Sequence, residues 1–201
     1  MIPLKLIYKK SFFGRRHRLI WRANYICNAI IDTFDLRRNA TIVDAGCAVG
    51  EYVARFNELG YDAIGIEGSS EAFDFVQSEH IYNLDLRKPI FLSPEKAINH
   101  DLCISFEVAE HIEEEYSDIY VDNLCRFSDR ILLTAAPPGQ KGHFHVNCQP
   151  KPYWIKKFKE RGYERNRNLE EKFKTSFPIS IKAKKEIGGY LRNTIVFIKE
   201  I

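Results

Sequence analysis

Residues 41–50 read Thr-Ile-Val-Asp-Ala-Gly-Cys-Ala-Val-Gly, and no other stretch constrains the fold as much. The first four residues form a short apolar run of the buried-strand type, 45–50 is a glycine-bearing turn, and 51–59 has the composition of a helix closed by Gly60. A buried strand that turns directly into a helix needs a parallel neighbour, reached by a right-handed crossover. Candidate neighbours follow at 62–67, 81–86, 101–106 and 130–135, the last stopped by Pro137-Pro138-Gly139. Ser69 or Ser70 is placed to cap a helix over 71–77, a further helix falls within 109–127, and Pro152 and Gly162 frame one over 152–161. Strands alternating with helices define an α/β chain with a mostly parallel sheet.

The two ends depart from this alternation. Phe13, Leu19, Ile20, Tyr25, Ile26, Ile30 and Ile31 recur at about 3.6-residue spacing, which predicts a helix over 12–38, broken from Asp32 to Asn39. At the other end, 163–165 and 194–199 are expected to pair antiparallel at the sheet edge. There is no internal repeat or low-complexity linker. A length of 201 residues therefore predicts one domain, with a helical N-terminal segment (1–38), a core (40–165) and a C-terminal, substrate-side segment (166–201).

No apolar run approaches the length of a membrane span, and the first eight residues are too short, and too soon followed by Lys9 and Lys10, for a signal peptide. The five cysteines are scattered without a C-x-x-C pair, which speaks against a zinc knuckle or a dithiol centre and for a reducing compartment. The expectation is a cytoplasmic protein with no membrane span. The net charge of +3 conceals +7 over residues 1–40, −12 over 41–150 and +8 over 151–201. Such basic ends are either solvated surface or a rim for an anionic substrate such as a phosphate, a nucleotide-sugar or RNA.

The turn itself speaks to the ligand. A glycine after the first strand lets a ligand approach the backbone where open α/β sheets bind their ligands. A nicotinamide fingerprint needs three glycines as G-x-G-x-x-G, whereas here Gly46 is followed by Ala48 and Glu51. Asp44 beside the turn opposes a pyrophosphate and suits a cationic amine. Glu67, ending the second strand, is placed to accept two ribose hydroxyls, and Asp85, ending the third, to accept from an adenine amino group. Each residue alone also reads as a turn or cap; together they occur at three successive strand ends.

These residues resemble the class I S-adenosylmethionine-dependent methyltransferases. Asp44 to Gly50 is similar to the family's first motif, with Ala48 in place of its middle glycine, and Phe106-Glu107-Val108-Ala109-Glu110-His111 resembles its fourth-strand motif in many small-molecule O-methyltransferases. The resemblance covers about residues 40–165; residues 1–38 and 166–192 match less and are expected to set the substrate. It implies a Rossmann-like three-layer sandwich with a seven-stranded sheet in the order 3-2-1-4-5-7-6, the last strand (194–199) antiparallel. It implies S-adenosyl-L-methionine as cofactor, its amino-acid end over Gly46 and its ribose against Glu67. The contacts it implies come from Asp44, Ala45, Gly46, Cys47, Ala48, Gly50, Glu67, Gly68, Asp85, Leu86, Phe106 and Glu107.

Methyl transfer from a sulfonium needs alignment of the acceptor and, for a hydroxyl, a base or a metal. His111, His143 and His145 are the candidate catalytic groups, the last two sharing one face if their segment is extended. Glu107, Glu110, His111 and His145, with Tyr153-Trp154 beyond, also resemble the divalent-metal site of small-RNA 2′-O-methyltransferases, which implies Mg²⁺ or Mn²⁺. Metal-free members carry the same Glu-Val-Ala-Glu-His segment, so ordering the loop under the cofactor is the other reading of Glu110 and His111. Trp154, Ile155 and Phe158 have helical spacing that suits a core, while His145 to Asn147 and Tyr153-Trp154 are alternatively a wall over the acceptor. The leading function is methylation of an O or N atom of a small-molecule acceptor. RNA 2′-O-methylation and a cofactor-binding scaffold without catalysis are the alternatives.

Overall fold

A computed structural model describes residues 1–16, 20–91, 99–182 and 184–200. Three helices, α1 (Leu4–Ile7), α2 (Lys10–Arg16) and α3 (Trp21–Phe34), precede β1 (Thr41–Ala45), α4 (Glu51–Glu58), β2 (Asp62–Glu67), β3 (Ile81–Asn83) and β4 (Leu102–Phe106). Then follow α5 (Ser117–Phe127), β5 (Arg130–Thr134), α6 (Lys151–Lys159), β6 (Tyr163–Arg165), α7 (Arg167–Thr175), α8 (Ile179–Lys182), α9 (Lys185–Asn193) and β7 (Thr194–Lys199). The strands form one seven-stranded sheet in the order β3-β2-β1-β4-β5-β7-β6.

β1 runs parallel to β2 and β4, with Val43 opposite Ile64 and Cys103. β7 is antiparallel to both β5 and β6, with Leu132 opposite Val196 and Glu164 opposite Ile198. Alternation along each strand sends side chains to two cores. Ile42 and Ile104 face one core with Ile26 and Ile30 of α3, Phe56 of α4 and Phe173 of α7. Val43 and Cys103 face the other with Tyr120 of α5 and Trp154 and Phe158 of α6. The chain thus builds helix, sheet and helix layers, with the strand order reversing between β1 and β4. That reversal opens a crevice at the carboxyl ends of these strands. Among the described residues no helix is long and apolar enough to cross a membrane.

Three expectations need correction. The helix over 12–38 is two helices, α2 and α3, the second closed by Asp35 in the left-handed conformation (φ 47°); Leu19 lies outside the described residues. The helix over 71–77 is a short 3₁₀ turn, Ser70–Asp74, with no serine side-chain cap, because the Ser69 and Ser70 hydroxyls bond the Glu71 carboxylate. The third strand ends at Asn83 rather than Leu86. The Leu84 N–H makes the final ladder bond to Glu67, and a turn closed by Lys88 N–H on the Asp85 carbonyl leads the chain away.

Gly46 has φ 87°, and a Cβ placed on it would lie 2.4 Å from Val108 Cγ2. Gly139 has φ 85° but nothing within 4 Å of such a Cβ. Gly139→Ala is expected to cost about 1 kcal/mol of unfolding free energy, the left-handed penalty alone. Gly46→Ala is expected to cost roughly 2–4 kcal/mol, because the clash adds to that strain. Urea unfolding of both variants measures the difference; equal losses contradict the close approach of Val108.

Candidate functional site

The crevice above β1, β2 and β4 is an open cleft of about 250 Å³. Its floor begins with the turn after β1. Gly46 and Cys47 both direct their N–H groups to the Ile66 carbonyl, at 2.8 and 3.0 Å, and the Ala48 N–H donates to Glu67 Oε2 at 2.9 Å. Ser69 N–H donates to the other oxygen, Glu67 Oε1, at 2.7 Å. Three turn amides are therefore already taken, and a carboxylate stands where a phosphate would have to sit. This is a physical reason, beyond the missing glycines, against a pyrophosphate ligand. Burial pushes the Glu67 carboxyl up to about 7 in spite of the two amide bonds.

Of the residues expected to contact a cofactor, Gly46, Ala48, Glu67, Gly68, Asp85, Leu86, Phe106 and Glu107 line the cleft. Asp44, Ala45, Cys47 and Gly50 do not. Asp44 lies on the same sheet face as Ile42, 3% exposed, with Oδ2 lacking a partner among the described residues; burial first, then Glu51, pushes its carboxyl well up. It sits behind the turn. Cys47 Sγ is turned to Gly65, and Gly50 (φ 74°) is the left-handed entry to α4. These residues shape the turn rather than the surface it presents. Asp85 does line the cleft, but Arg87 holds much of its carboxylate, with Nε at 3.0 Å, Nη2 at 2.9 Å and the backbone N–H at 3.0 Å. Burial works against the charge, yet these bonds hold the Asp85 carboxyl below its usual range.

At the far end of β4, Glu107 adopts φ 53°, a conformation costly for a side-chain-bearing residue, and its carboxylate accepts from Asn193 and Gln140 at 3.1 Å each. Glu110, His111 and His145 bring ligand atoms within 4.8 Å of one another. His111 Nδ1 lies 3.0 Å from the Phe144 carbonyl and His145 Nδ1 lies 2.9 Å from the Gln140 carbonyl. A carbonyl only accepts, so both Nδ1 atoms carry the proton and both Nε2 atoms present lone pairs. Burial pushes His111 down to about 4, which keeps it neutral. Glu110 is completely buried, neither carboxylate oxygen has a hydrogen-bond partner among the described residues, His145 Nε2 lies 4.0 Å from Oε1, and burial with the nearby Glu107 charge pushes the carboxyl up to about 8. An orphaned carboxyl facing two oriented imidazole lone pairs fits a divalent cation, and equally fits a proton acceptor for a hydroxyl.

Of the expected four, three come together, while Glu107 is engaged by Gln140 and Asn193 and is not among the clustered groups. His143 and His145 do not share a face, because Phe144 between them is left-handed (φ 53°). His143 turns instead to the N-terminal segment, with Nε2 2.8 Å from the Ile7 carbonyl. Trp154 is fully buried in the core under α5, and Tyr153 beside it does not line the cleft.

The wall opposite the sheet is one the sequence did not disclose. Leu4, Tyr8, Phe12, Phe13 and Arg16 of the N-terminal segment close over the turn. Phe13 packs with Ala48 and Val49, Leu4 lies against Gly68, and Arg87 Nη1 holds the Ile2 carbonyl at 2.9 Å. Tyr8 stands edge-on to His111 and His143, and burial, then Glu67 and Glu110, raises its phenol above the usual range. The only signal was the aromatic pair Phe12-Phe13 beside Arg15-Arg16, which is silent on the direction the helix faces.

No family model matches this chain, and no curated protein matches it. Solved structures do. A TehB-like SAM-dependent methyltransferase from Corynebacterium glutamicum superposes with a TM-score of 0.63 at 17% identity, covering 95% of this chain and 98% of that one. The plantazolicin methyltransferase BpumL, solved with a pentazolic desmethylPZN analog and SAH, superposes at 0.63 with 12% identity over 96% and 90%. Magnesium protoporphyrin IX methyltransferase (ChlM) from Synechocystis PCC 6803, solved with SAH, gives 0.57 at 16% over 76% of each chain. The fold is the Rossmann-like one of class I SAM-dependent methyltransferases. The [4+2]-cyclase SpnF superposes as well, at 0.57 with 11% identity over 87% and 80%, so this fold hosts more than one chemistry.

The buried acids carry a pH signature. Glu67 and Glu110 have folded-state values near 7 and 8, above the usual 4.5, so their stabilising contribution is complete below about 4.5 and is lost as pH rises through 7 and 8. His111, lowered from 6.5 to about 4, acts oppositely, its contribution being lost as pH falls through that window. Between pH 6.5 and 8 only the acids act. The unliganded protein is therefore expected to melt a few °C lower at pH 8 than at pH 6.5. Scanning calorimetry checks this, and a flat or rising profile contradicts it.

Proposed function

We propose that this chain is an S-adenosyl-L-methionine-dependent methyltransferase acting on an O or N atom of a small-molecule acceptor. The observation that carries the reading is one cleft wall in which Gly46 and Ala48, Glu67 and Asp85 follow one another at the ends of β1, β2 and past β3. Glu67, charged above pH 7, accepts from ribose hydroxyls. The Leu86 backbone and the uncommitted lone pair of Asp85 meet the adenine edge, and Glu107 faces the cationic end. S-Adenosyl-L-methionine supplies a methyl group already activated on a sulfonium. The protein's task is then to align the acceptor, exclude water beneath Tyr8 and Phe12, and take a proton at His111 Nε2 or His145 Nε2.

The orphaned Glu110 carboxyl favours a second feature of the same reading: Glu110, His111 and His145 hold Mg²⁺ or Mn²⁺, which would lower the pKa of an acceptor hydroxyl. That feature favours a hydroxyl acceptor over an amine. Basic ends of +7 and +8 support an anionic acceptor, such as a small phosphate ester or an RNA.

Calorimetric titration with S-adenosylmethionine and S-adenosylhomocysteine, with NAD as control, is expected to give micromolar affinity that Glu67→Ala weakens about 100-fold, or nearly 3 kcal/mol. Absence of binding to a folded sample removes the reading; binding without turnover over an acceptor panel moves it to a scaffold. For the metal, Mn²⁺ is expected to raise the melting temperature of the wild type and not of Glu110→Gln. Equal shifts, or none in the wild type, leave the two histidines as bases only.

A further inference from the structure

Residues 1–10 have two faces of opposite character. Leu4, Ile7 and Tyr8 turn inward: Ile7 is buried, and Leu4 and Tyr8 line the cleft. Every exposed residue of the stretch is either apolar (Met1, Ile2, Pro3, Leu6) or a lysine (Lys5, Lys9, Lys10), with no acid and no neutral polar side chain among them. Ile2, Lys5, Leu6 and Lys9 follow the i, i+3, i+4, i+7 spacing of one helical side, and α1 supplies a turn of that helix. Leu6 is 64% exposed, Met1 53% and Ile2 49%. Single exposed apolar side chains are ordinary on a protein surface; several neighbours in one stretch, set among lysines, mark a surface that meets something other than water.

A second strip lies beside the first. His143 Nε2 is 2.8 Å from the Ile7 carbonyl, and Tyr8 and Phe12 pack on the His143 ring. The loop that carries His143 exposes Lys141 and Val146, the latter 48%, and so repeats the pairing of a lysine with an apolar side chain. Both strips border the cleft, since Tyr8, His143 and His145 of the same segments line it. The acids on this side are largely engaged: Asp74 pairs with Lys10, and Glu113 with Arg87, which also holds the Ile2 carbonyl. Lys5, Lys9 and Lys141 have no ion-pair partner among the described residues.

Apolar side chains interleaved with free ammonium groups complement a boundary where hydrocarbon lies beneath phosphate. Leu6 and Ile2 enter the acyl boundary, and the lysine stems lie along it with their charges at the headgroups. We propose that the outer face of residues 1–10, together with Lys141 and Val146, docks this protein on an anionic lipid membrane and holds the cleft beside the headgroups. Three free lysines and a few apolar side chains make this a reversible attachment. The docking stands apart from the cofactor reading, which concerns the inner face of the same segment.

Flotation of the full chain with vesicles tests it. Phosphatidylcholine vesicles are compared with vesicles that also hold about 30 mol% phosphatidylserine. The chain is expected to float with the anionic vesicles, to stay behind with the neutral ones, and to be released by high salt. Lys5→Ala and Lys9→Ala are each expected to weaken binding about fivefold, and Leu6→Ser about tenfold. All three side chains are exposed, so the melting temperature is expected to hold. Ile179→Ser is the control, because Ile179, 86% exposed, lies on α8 beside other lysines and outside the proposed face; it is expected to change nothing. Absence of binding to anionic vesicles overturns the proposal, as does equal binding to both kinds, or a loss in Ile179→Ser with none in Leu6→Ser. Sedimentation velocity excludes the rival occupant: a dimer that Leu6→Ser converts to monomer assigns the face to a second copy and overturns membrane docking. S-Adenosylhomocysteine titration of the same samples without vesicles reads the cofactor site separately, so failure there and failure of docking are distinct outcomes.

Discussion

The Glu67 carboxylate ties the site together. One oxygen accepts from Ala48, in the turn after β1, and the other from Ser69, in the turn after β2, so a single side chain fixes two loops that the sheet brings side by side. The parallel pairing of Ala45 with Ile66 makes this possible, because it sets both turns at the same level above the sheet. The arrangement is costly. Burial favours the protonated form up to about pH 7, and the amide bonds only partly offset it. A buried carboxylate with lone pairs facing a cleft is stabilised further by hydroxyl donors from a ligand, which gives binding at this place a physical reward that an ordinary loop lacks.

Backbone strain concentrates at the same surface. Among the described non-glycine residues with positive φ, Asp35 and Asn39 are of types that tolerate the left-handed region, whereas Ala48, Glu107 and Phe144 are not. Those three stand at the turn after β1, at the end of β4 and between His143 and His145. Ala48 also explains its own resemblance: the position where the family carries its middle glycine is left-handed here (φ 51°), and the alanine methyl is retained because it packs with Phe13. Strain of order 1–3 kcal/mol per residue persists only where surrounding packing over-determines it, and here the sheet and the N-terminal segment supply that packing.

Polar groups left incomplete in the unliganded protein mark out a path across the molecule. Arg16 Nε at one end, the Glu110 carboxyl at the other, and the two Nε2 lone pairs of His111 and His145 all lie in or beside one cleft. Buried polar groups are ordinarily satisfied; Asp44 Oδ2, Glu51 Oε2, Arg55 Nε and Trp154 Nε1, also without a hydrogen-bond partner among the described residues, lie outside the lining of this cleft.

Much of this was legible in the chain. The strand-turn-helix at 41–59, the alternation that follows it and the antiparallel edge depend on local patterning and handedness, and Glu67 and Asp85 fall at strand ends that the pattern locates to within a few residues. The strand length at 81–86 was misjudged because a local turn, closed by Lys88 N–H on the Asp85 carbonyl and braced by Arg87 on the Asp85 carboxylate, leads the chain away where the apolar pattern continues. What lay beyond the sequence was decided by packing between distant segments. Asp44 falls behind the turn because strand alternation gives it the face of Ile42; His143 and His145 part because Phe144 is left-handed; Trp154 goes to the core. The N-terminal segment closes the cleft through Phe13, Leu4 and the Arg87 bond to Ile2, contacts across more than thirty residues in each case. A sequence records which residues carry charge and which are apolar, and so determines the sheet and the acids at its ends. The direction in which a helix faces, and hence the place of Arg16 and Tyr8 in the wall of the cleft, is set only when all the buried surfaces are satisfied at once.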